Sequence, residues 1–159
     1  MIRPYTPDDI HQVLGILEVL RGNTAYRKIN PDWPEIVNVI TNASMKRAGL
    51  VLVAEHEARI TGVMIAVAET LWWQNPQTGA RIASDLIFFS QRLGDGRRML
   101  AAMIEWAFGV PRVVRVECGI SSGINAERLE RLYTSVGMVK EGTQFVINHP
   151  KYYAALGGV

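Results

Sequence analysis

The stretch Gln91–Leu100, QRLGDGRRML, constrains the architecture more than any other part of the chain. An apolar run, Leu86–Phe89, stops at Ser90; glycines follow at alternate positions, Gly94 and Gly96, and Arg97 and Arg98 then open an amphipathic helix. A strand that turns abruptly into a helix through glycines leaves unpaired backbone N–H groups pointing into one small volume. The helix adds the positive end of its dipole at the same place. Such a junction is a seat for phosphate or pyrophosphate.

The elements around it follow from periodicity and punctuation. Ile2–Tyr5 reads as a short strand, and Thr6, Pro7 and Asp9 as a capped helix start ahead of the stripe Ile10, Val13, Leu14, Leu17 and Leu20. Gly22 and Asn23 end that helix; Asn30 and Pro31 start a second, with Trp33, Ile36, Val37 and Ile40 on one side. Leu50–Glu55 and Ile60–Thr70 are β-branched, nearly continuous apolar runs joined by HEAR, a hairpin whose faces should both be covered by helices. The segment from Trp72, WWQNPQTGAR, has turn chemistry in its middle. Ile82–Phe89 is a strand, Gly96–Phe108 a helix, and Val113–Cys118 a buried strand. A turn at Ser121–Gly123 leads to Asn125, which caps a helix carrying Leu129, Leu132, Tyr133 and Val136 and stopped by Gly137. Gln144–Asn148 is a last strand before a frayed tail. The order is β-α-α-β-β-β-α-β-α-β: an α/β chain with one mixed sheet and helices on both faces, a single domain over residues 1–149 and a tail over 150–159.

Composition narrows the function classes. The 159 residues are 48% hydrophobic and 20% charged, which is globular composition. The longest apolar stretches run to about ten residues, too short to span a bilayer, and MIRPYTPDD lacks the apolar segment of a signal peptide. The single cysteine, Cys118, fits a reducing compartment, so the expected location is the cytoplasm. A net charge of +2 makes no case for nucleic acid; arginines gather at Arg92, Arg97 and Arg98, with Arg128 and Arg131 on a later helix, which suits a small anionic ligand. His11, His56 and His149 are widely spaced, with no acid or cysteine at ligand spacing, so no metal is expected.

Which phosphate ligand is decided by elimination and then by likeness. A nucleoside triphosphate loop needs Gly-Lys-Ser/Thr, and no lysine lies between Lys46 and Lys140. A dinucleotide fingerprint needs a third glycine where this chain has Met99. Gln91-x-x-Gly94-x-Gly96-x-x-Met99-Leu100 instead resembles the coenzyme A pyrophosphate loop of the GNAT N-acetyltransferase superfamily. Asn125 followed by Leu132-Tyr133, three residues and Gly137-Met138 is similar to that superfamily's later helix. IRPYTPDDI, LVLVAEHEARITGVM and WAFGVPRVVRVE extend the likeness over nearly the whole chain, which is close to short bacterial and phage-encoded members. The chain departs from the pattern at Met138, usually phenylalanine, at Arg92, often glycine, and at Asp95, an acid inside an anion seat. Either the Asp95 side chain points to solvent, or the loop is specialised or impaired.

The resemblance implies transfer of an acetyl group from acetyl-CoA to a primary amine by direct attack in a ternary complex. On that reading the backbone from Arg92 through Leu93, Gly94, Asp95 and Gly96 to Arg97 seats the pyrophosphate, with Gln91 opening the loop and Arg97 or Arg98 adding charge. The edge of Leu86, Ile87 and Phe88 holds the pantetheine arm. Tyr133 is the general acid, or else a packing residue in register with Leu129 and Val136; Asn125 is a helix cap and a cofactor contact. Glu69, Asp85 and Glu117 are acids embedded in apolar sequence, and Asp85 and Glu69 are the preferred candidates for general base. Tyr26, Trp72 and Trp73 wall the acceptor pocket, unless the tandem tryptophans serve a homodimer interface or the core. Cys118 reads as an inert core residue. The acceptor is a small-molecule amine or a peptide amine, with neither nucleic acid nor membrane as partner. The alternative is a coenzyme A-binding or fold-only protein with weak or lost catalysis, acting as a regulatory or structural interaction module.

Overall fold

A computed structural model describes residues 1–24, 27–119 and 126–141. In chain order the elements are β1 (Ile2–Pro4), a 3-10 turn (Pro7–Asp9), α1 (Ile10–Gly22), α2 (Trp33–Met45), β2 (Gly49–His56), β3 (Arg59–Thr70), β4 (Arg81–Ser90), α3 (Asp95–Gly109), β5 (Val113–Glu117) and α4 (Ala126–Ser135). This is the order read from the sequence up to α4. The expected turn at Ser121–Gly123, the last strand at Gln144–Asn148 and the tail lie outside the described residues.

The strands form one mixed sheet in the order β1-β2-β3-β4-β5. Neighbours run antiparallel except β4 and β5, which are parallel. Residues alternate between two cores, as a pleated strand requires. Val51, Val53, Val63 and Ile65 face α1 and α2, packing on Val13, Leu17 and Ile40. Leu52, Ala54, Met64 and Ala66 face the other way, onto Met99, Leu100 and Met103 of α3 and Tyr133 of α4. Both faces of the β2–β3 hairpin are therefore covered, which is why its strands read as unbroken apolar runs. The hairpin turns on Glu57 and Ala58, both with positive φ (50° and 61°), the twist-matched two-residue turn made without glycine.

Two local readings need correction; the helix start at Thr6 stands, with Pro7 and Asp9 following it and the capping box formed. The 3-10 turn precedes α1, and Asp9 accepts from the Thr6 N–H at 2.8 Å and binds Arg3 at 2.7 and 2.8 Å, while Arg3 also reaches Glu55 at 2.6 Å. The Arg3 guanidinium holds the Asp9 carboxyl down at about 2. The cap of α2 is Asp32, accepting from the Glu35 N–H at 3.1 Å, in place of the Asn30–Pro31 start; a free carboxylate one residue before Trp33 outcompetes it. Finally β5 is half-exposed, with Val114 64% accessible, in contrast to the expected buried strand; among the described residues it pairs on one side only, with β4.

Gly49 opens β2 directly against the backbone of α2: a Cβ there would meet the Ala43 carbonyl oxygen and stand 2.8 Å from its Cα. Neither backbone can yield like a side chain. Gly49→Ala is expected to destabilise the protein by about 1–3 kcal/mol, read as a lower urea midpoint at unchanged slope. No helix among the described residues is long and apolar enough to cross a membrane.

Candidate active site

The site is built where β4 and β5 part. Among the described residues their pairing ends at Ser84↔Glu117, while β4 continues to Ser90 paired with β3. Among the described residues the outer edge of β4 from Asp85 onward has no strand partner, so its amide and carbonyl groups are open to an extended ligand. On the inner edge the register slips: Ile65 faces Ile87 but Ala66 faces Asp85, leaving Leu86 as an extra, half-exposed residue. A bulge of this kind bends a strand locally and re-aims the residues beside it.

β4 delivers the chain to the loop singled out in the sequence. Gly94 caps α3 with φ +86°, a left-handed conformation that a side chain would strain, and Gly96 is buried between Phe88 and Leu132. The first N–H groups of α3 are thus presented at the end of the open edge. A cavity of about 330 Å³ lies there, lined by Phe88–Ser90, Arg92–Gly94, Gly96, Arg97 and, from α4, Arg128 and Arg131. The alignment of α3 and α4 brings the two arginine groups to one place. Sequence reasoning noted both groups without joining them; the only available signal was their spacing on the later helix.

Asp95 has a plain explanation. Its carboxylate is turned into the protein, 6% exposed, and accepts from Arg98 Nη2 at 2.7 Å, one helical turn along. It neither points to solvent nor faces the cavity lining, and Arg98, read as an anion-binding charge, is occupied by it. Arg92 and Arg97 carry the positive charge at the mouth. Gln91 is exposed, and its N–H continues the β3 pairing to Thr61 at 2.9 Å.

A second cavity of about 270 Å³ shares Leu20, Phe88 and Leu129 with the first and holds Asp85, Leu86, Ile87, Gly119 and Tyr133 at the fork. Tyr133 is buried, and its hydroxyl donates to the Gly119 carbonyl at 3.3 Å, long for a hydroxyl donor. Burial, reinforced by Asp85 and Cys118, raises its pKa far above the phenol range, so it holds its proton. Burial also raises the Asp85 carboxyl; the Cys118 thiol and the N–H groups of Asp85 and Gly119 hold that rise in check. The Cys118 thiol is pushed up by burial and then by Asp85, which removes it as a thiolate nucleophile. The fork therefore joins a protonated phenol and a carboxyl biased toward proton uptake.

The other sequence candidates fall elsewhere. Glu69 is exposed on β3 opposite Ile82, and Glu117 pairs with Arg115 at 2.8 Å; neither lines either of these two cavities. Trp72 and Trp73 stack edge-to-face at 5.2 Å in the β3–β4 turn, 88% and 61% exposed, and line neither cavity. Tyr26 and Asn125 lie outside the described residues. The wall across from Asp85 comes instead from Leu17, Leu20 and Arg21 of α1 and Pro31, Trp33 and Ile36 around α2. Leu17, Leu20, Trp33 and Ile36 read in sequence as helical apolar stripe, since a residue lining a cleft and one filling a core carry the same periodic signal. Among the described residues no group of three or more His, Cys, Asp or Glu is placed to hold a metal ion.

No protein-family model and no curated protein matches the chain. Solved structures do. An aminoglycoside 6'-N-acetyltransferase from Acinetobacter haemolyticus superposes over 94% of this chain and 97% of its own, with TM-score 0.65 and 10% identity. A GNAT family acetyltransferase from Staphylococcus aureus covers 94% and 98%, with TM-score 0.60 and 16% identity. A transcriptional regulator from Bacillus halodurans covers 94% and 99%, with TM-score 0.70 and 16% identity. At such identities the likeness carries the fold alone, and the fold is the single-domain GNAT type.

Proposed function

We propose that the protein is an N-acetyltransferase that moves an acetyl group from acetyl-CoA to a primary amine within a ternary complex. The observation that carries this reading is one continuous track. It runs from the Gly94 helix terminus along the edge of β4 that has no strand partner among the described residues to the fork, where Asp85 and Tyr133 share a cavity.

The residues present fit the donor. The N–H groups at the start of α3, with Arg92 and Arg97, suit a pyrophosphate; Arg128 and Arg131 add charge on the opposite wall. Leu86, Ile87 and Phe88 offer open backbone to an amide-rich arm in strand fashion. Bound acetyl-CoA supplies an activated thioester. Asp85 takes a proton from the amine at its carboxylate, directly or through one water, while Tyr133 Oη holds the proton for the leaving sulfur. In net terms one N–C bond forms and one C–S bond breaks, and the proton lost by the amine balances the one gained by the thiol. Apolar walls at Leu20, Phe88 and Leu129 exclude water from the junction.

Acetyl-CoA at a hundredfold excess over its Kd should stabilise the folded protein by about 2.7 kcal/mol, seen as a concentration-dependent rise in Tm. Thiol release should then appear when a primary amine is added. No thermal response would remove the reading. A thermal response without thiol release across a broad amine panel would leave a coenzyme A-binding module.

A further inference from the structure

The cavity at the fork also limits which amine can enter. We infer that the acceptor is a small monoamine with an apolar, aromatic-sized body, an arylalkylamine in chemical class. This deepens the proposed transferase reading and rests on it for the chemistry, though not for the binding.

The wall facing Asp85 is built from Leu17, Leu20, Pro31, Trp33 and Ile36, and its floor from Leu86 and Phe88. The polar groups within it are already engaged. Arg21 is held by Glu18 at 2.7 and 2.9 Å and donates to the Arg27 carbonyl; Thr24 Oγ donates to the Arg21 carbonyl at 3.0 Å; Tyr133 donates to Gly119. Among the described residues, Asp85 is the sole carboxylate in the lining. One carboxylate receives one ammonium group. A polyamine or an aminoglycoside would bury several cationic or hydroxyl groups against leucine, proline and isoleucine, leaving them unpaired. Arg92, Arg97, Arg128 and Arg131 line the adjoining cavity and make no ion pair among the described residues beyond the 3.8 Å approach of Arg131 to Glu127.

Size points the same way. About 270 Å³ is just below the usual range for ligand pockets, roughly 300–1,000 Å³, and the tip of a bound donor would take part of it. A single ring on a short amine arm matches that volume, whereas a multi-ring sugar would have to extend beyond it. Trp33, the first residue of α2, is the one tryptophan in this lining and the natural stacking surface for such a ring.

The test is calorimetric and kinetic. Binding of 2-phenylethylamine, tryptamine, spermidine, kanamycin and a short Ala-terminated peptide would be measured on the full chain with and without coenzyme A, alongside thiol release from acetyl-CoA. The arylalkylamines should bind at least about tenfold more tightly than the others. Trp33→Ala should weaken that binding by about tenfold, Trp33→Phe should restore most of it, and acetyl-CoA affinity should hold in both variants. Equal or tighter binding of spermidine, kanamycin or the peptide would overturn the inference, as would a Trp33→Ala protein that keeps acetyl-CoA affinity and loses no amine affinity. Arylalkylamine binding without thiol release would leave the inference standing and remove the transferase reading.

Discussion

Tyr133→Phe should lower kcat by about 10²–10⁴-fold while leaving acetyl-CoA affinity unchanged. The substitution removes one oxygen and keeps the ring, so the packing of Tyr133 on the α3–α4 side of the sheet is retained. What is lost is the proton that burial and the neighbouring Asp85 keep on the phenol, and a long hydrogen bond to Gly119 worth about 1 kcal/mol at most. A weak structural role would lower Tm slightly and leave turnover intact; a general acid loses turnover first. Steady-state kinetics with a thermal titration of acetyl-CoA separate the two. A kcat within threefold of the parent protein would make Tyr133 a packing residue.

Asp85→Asn should lower kcat/KM by about 10²–10⁴-fold and change the shape of the pH profile. Desolvation lifts the Asp85 carboxyl above its ordinary range, so in the parent protein kcat/KM rises with pH as this group loses its proton, at a pH above that of an exposed aspartate. The amine's own ammonium, with a pKa near 10, adds a separate alkaline limb. In Asp85→Asn the acidic limb should vanish while the alkaline one stays. The same shift has a stability consequence of opposite sense to a salt-bridged acid. The folded state keeps its proton after the unfolded chain has lost it, so the Asp85 contribution to stability falls as pH rises from the ordinary carboxylate value through the raised one. Tm in the variant should be less sensitive to pH across that window. A persisting acidic limb would assign the base elsewhere.

Much of the fold is legible in local pattern. The β2–β3 hairpin announces itself by two apolar runs around a charged turn, α3 by its glycines and its Met99–Met103 stripe, and the end of α4 by Gly137, whose φ of +86° suits glycine. What local pattern leaves undecided is of two kinds. Asp32 displaced Asn30 as the α2 cap because neighbouring residues compete for one site and sequence alone does not rank them. Aromatic residues at a strand end suit a pocket wall, an interface or the core equally, so sequence leaves Trp72 and Trp73 open among the three. The turn that carries them projects beyond the pairing of Thr70 with Arg81, several residues along β4 from the fork.

The sequence by itself determined the order of elements up to α4 and the glycine-shaped helix terminus at Gly94, and it marked Asp85 and Tyr133 as acid–base candidates. These are local properties, set by periodicity over a turn or two and by what backbone conformation glycine permits. Tertiary structure decided what meets what. The end of β4–β5 pairing at Ser84, the Leu86 bulge and the docking of α4 put Asp85, Cys118 and Tyr133 at one point. They also set four arginines around one cavity and turned Asp95 away from it onto Arg98. No window of sequence carries that information, because strand register and helix docking are chosen by packing between segments far apart in the chain.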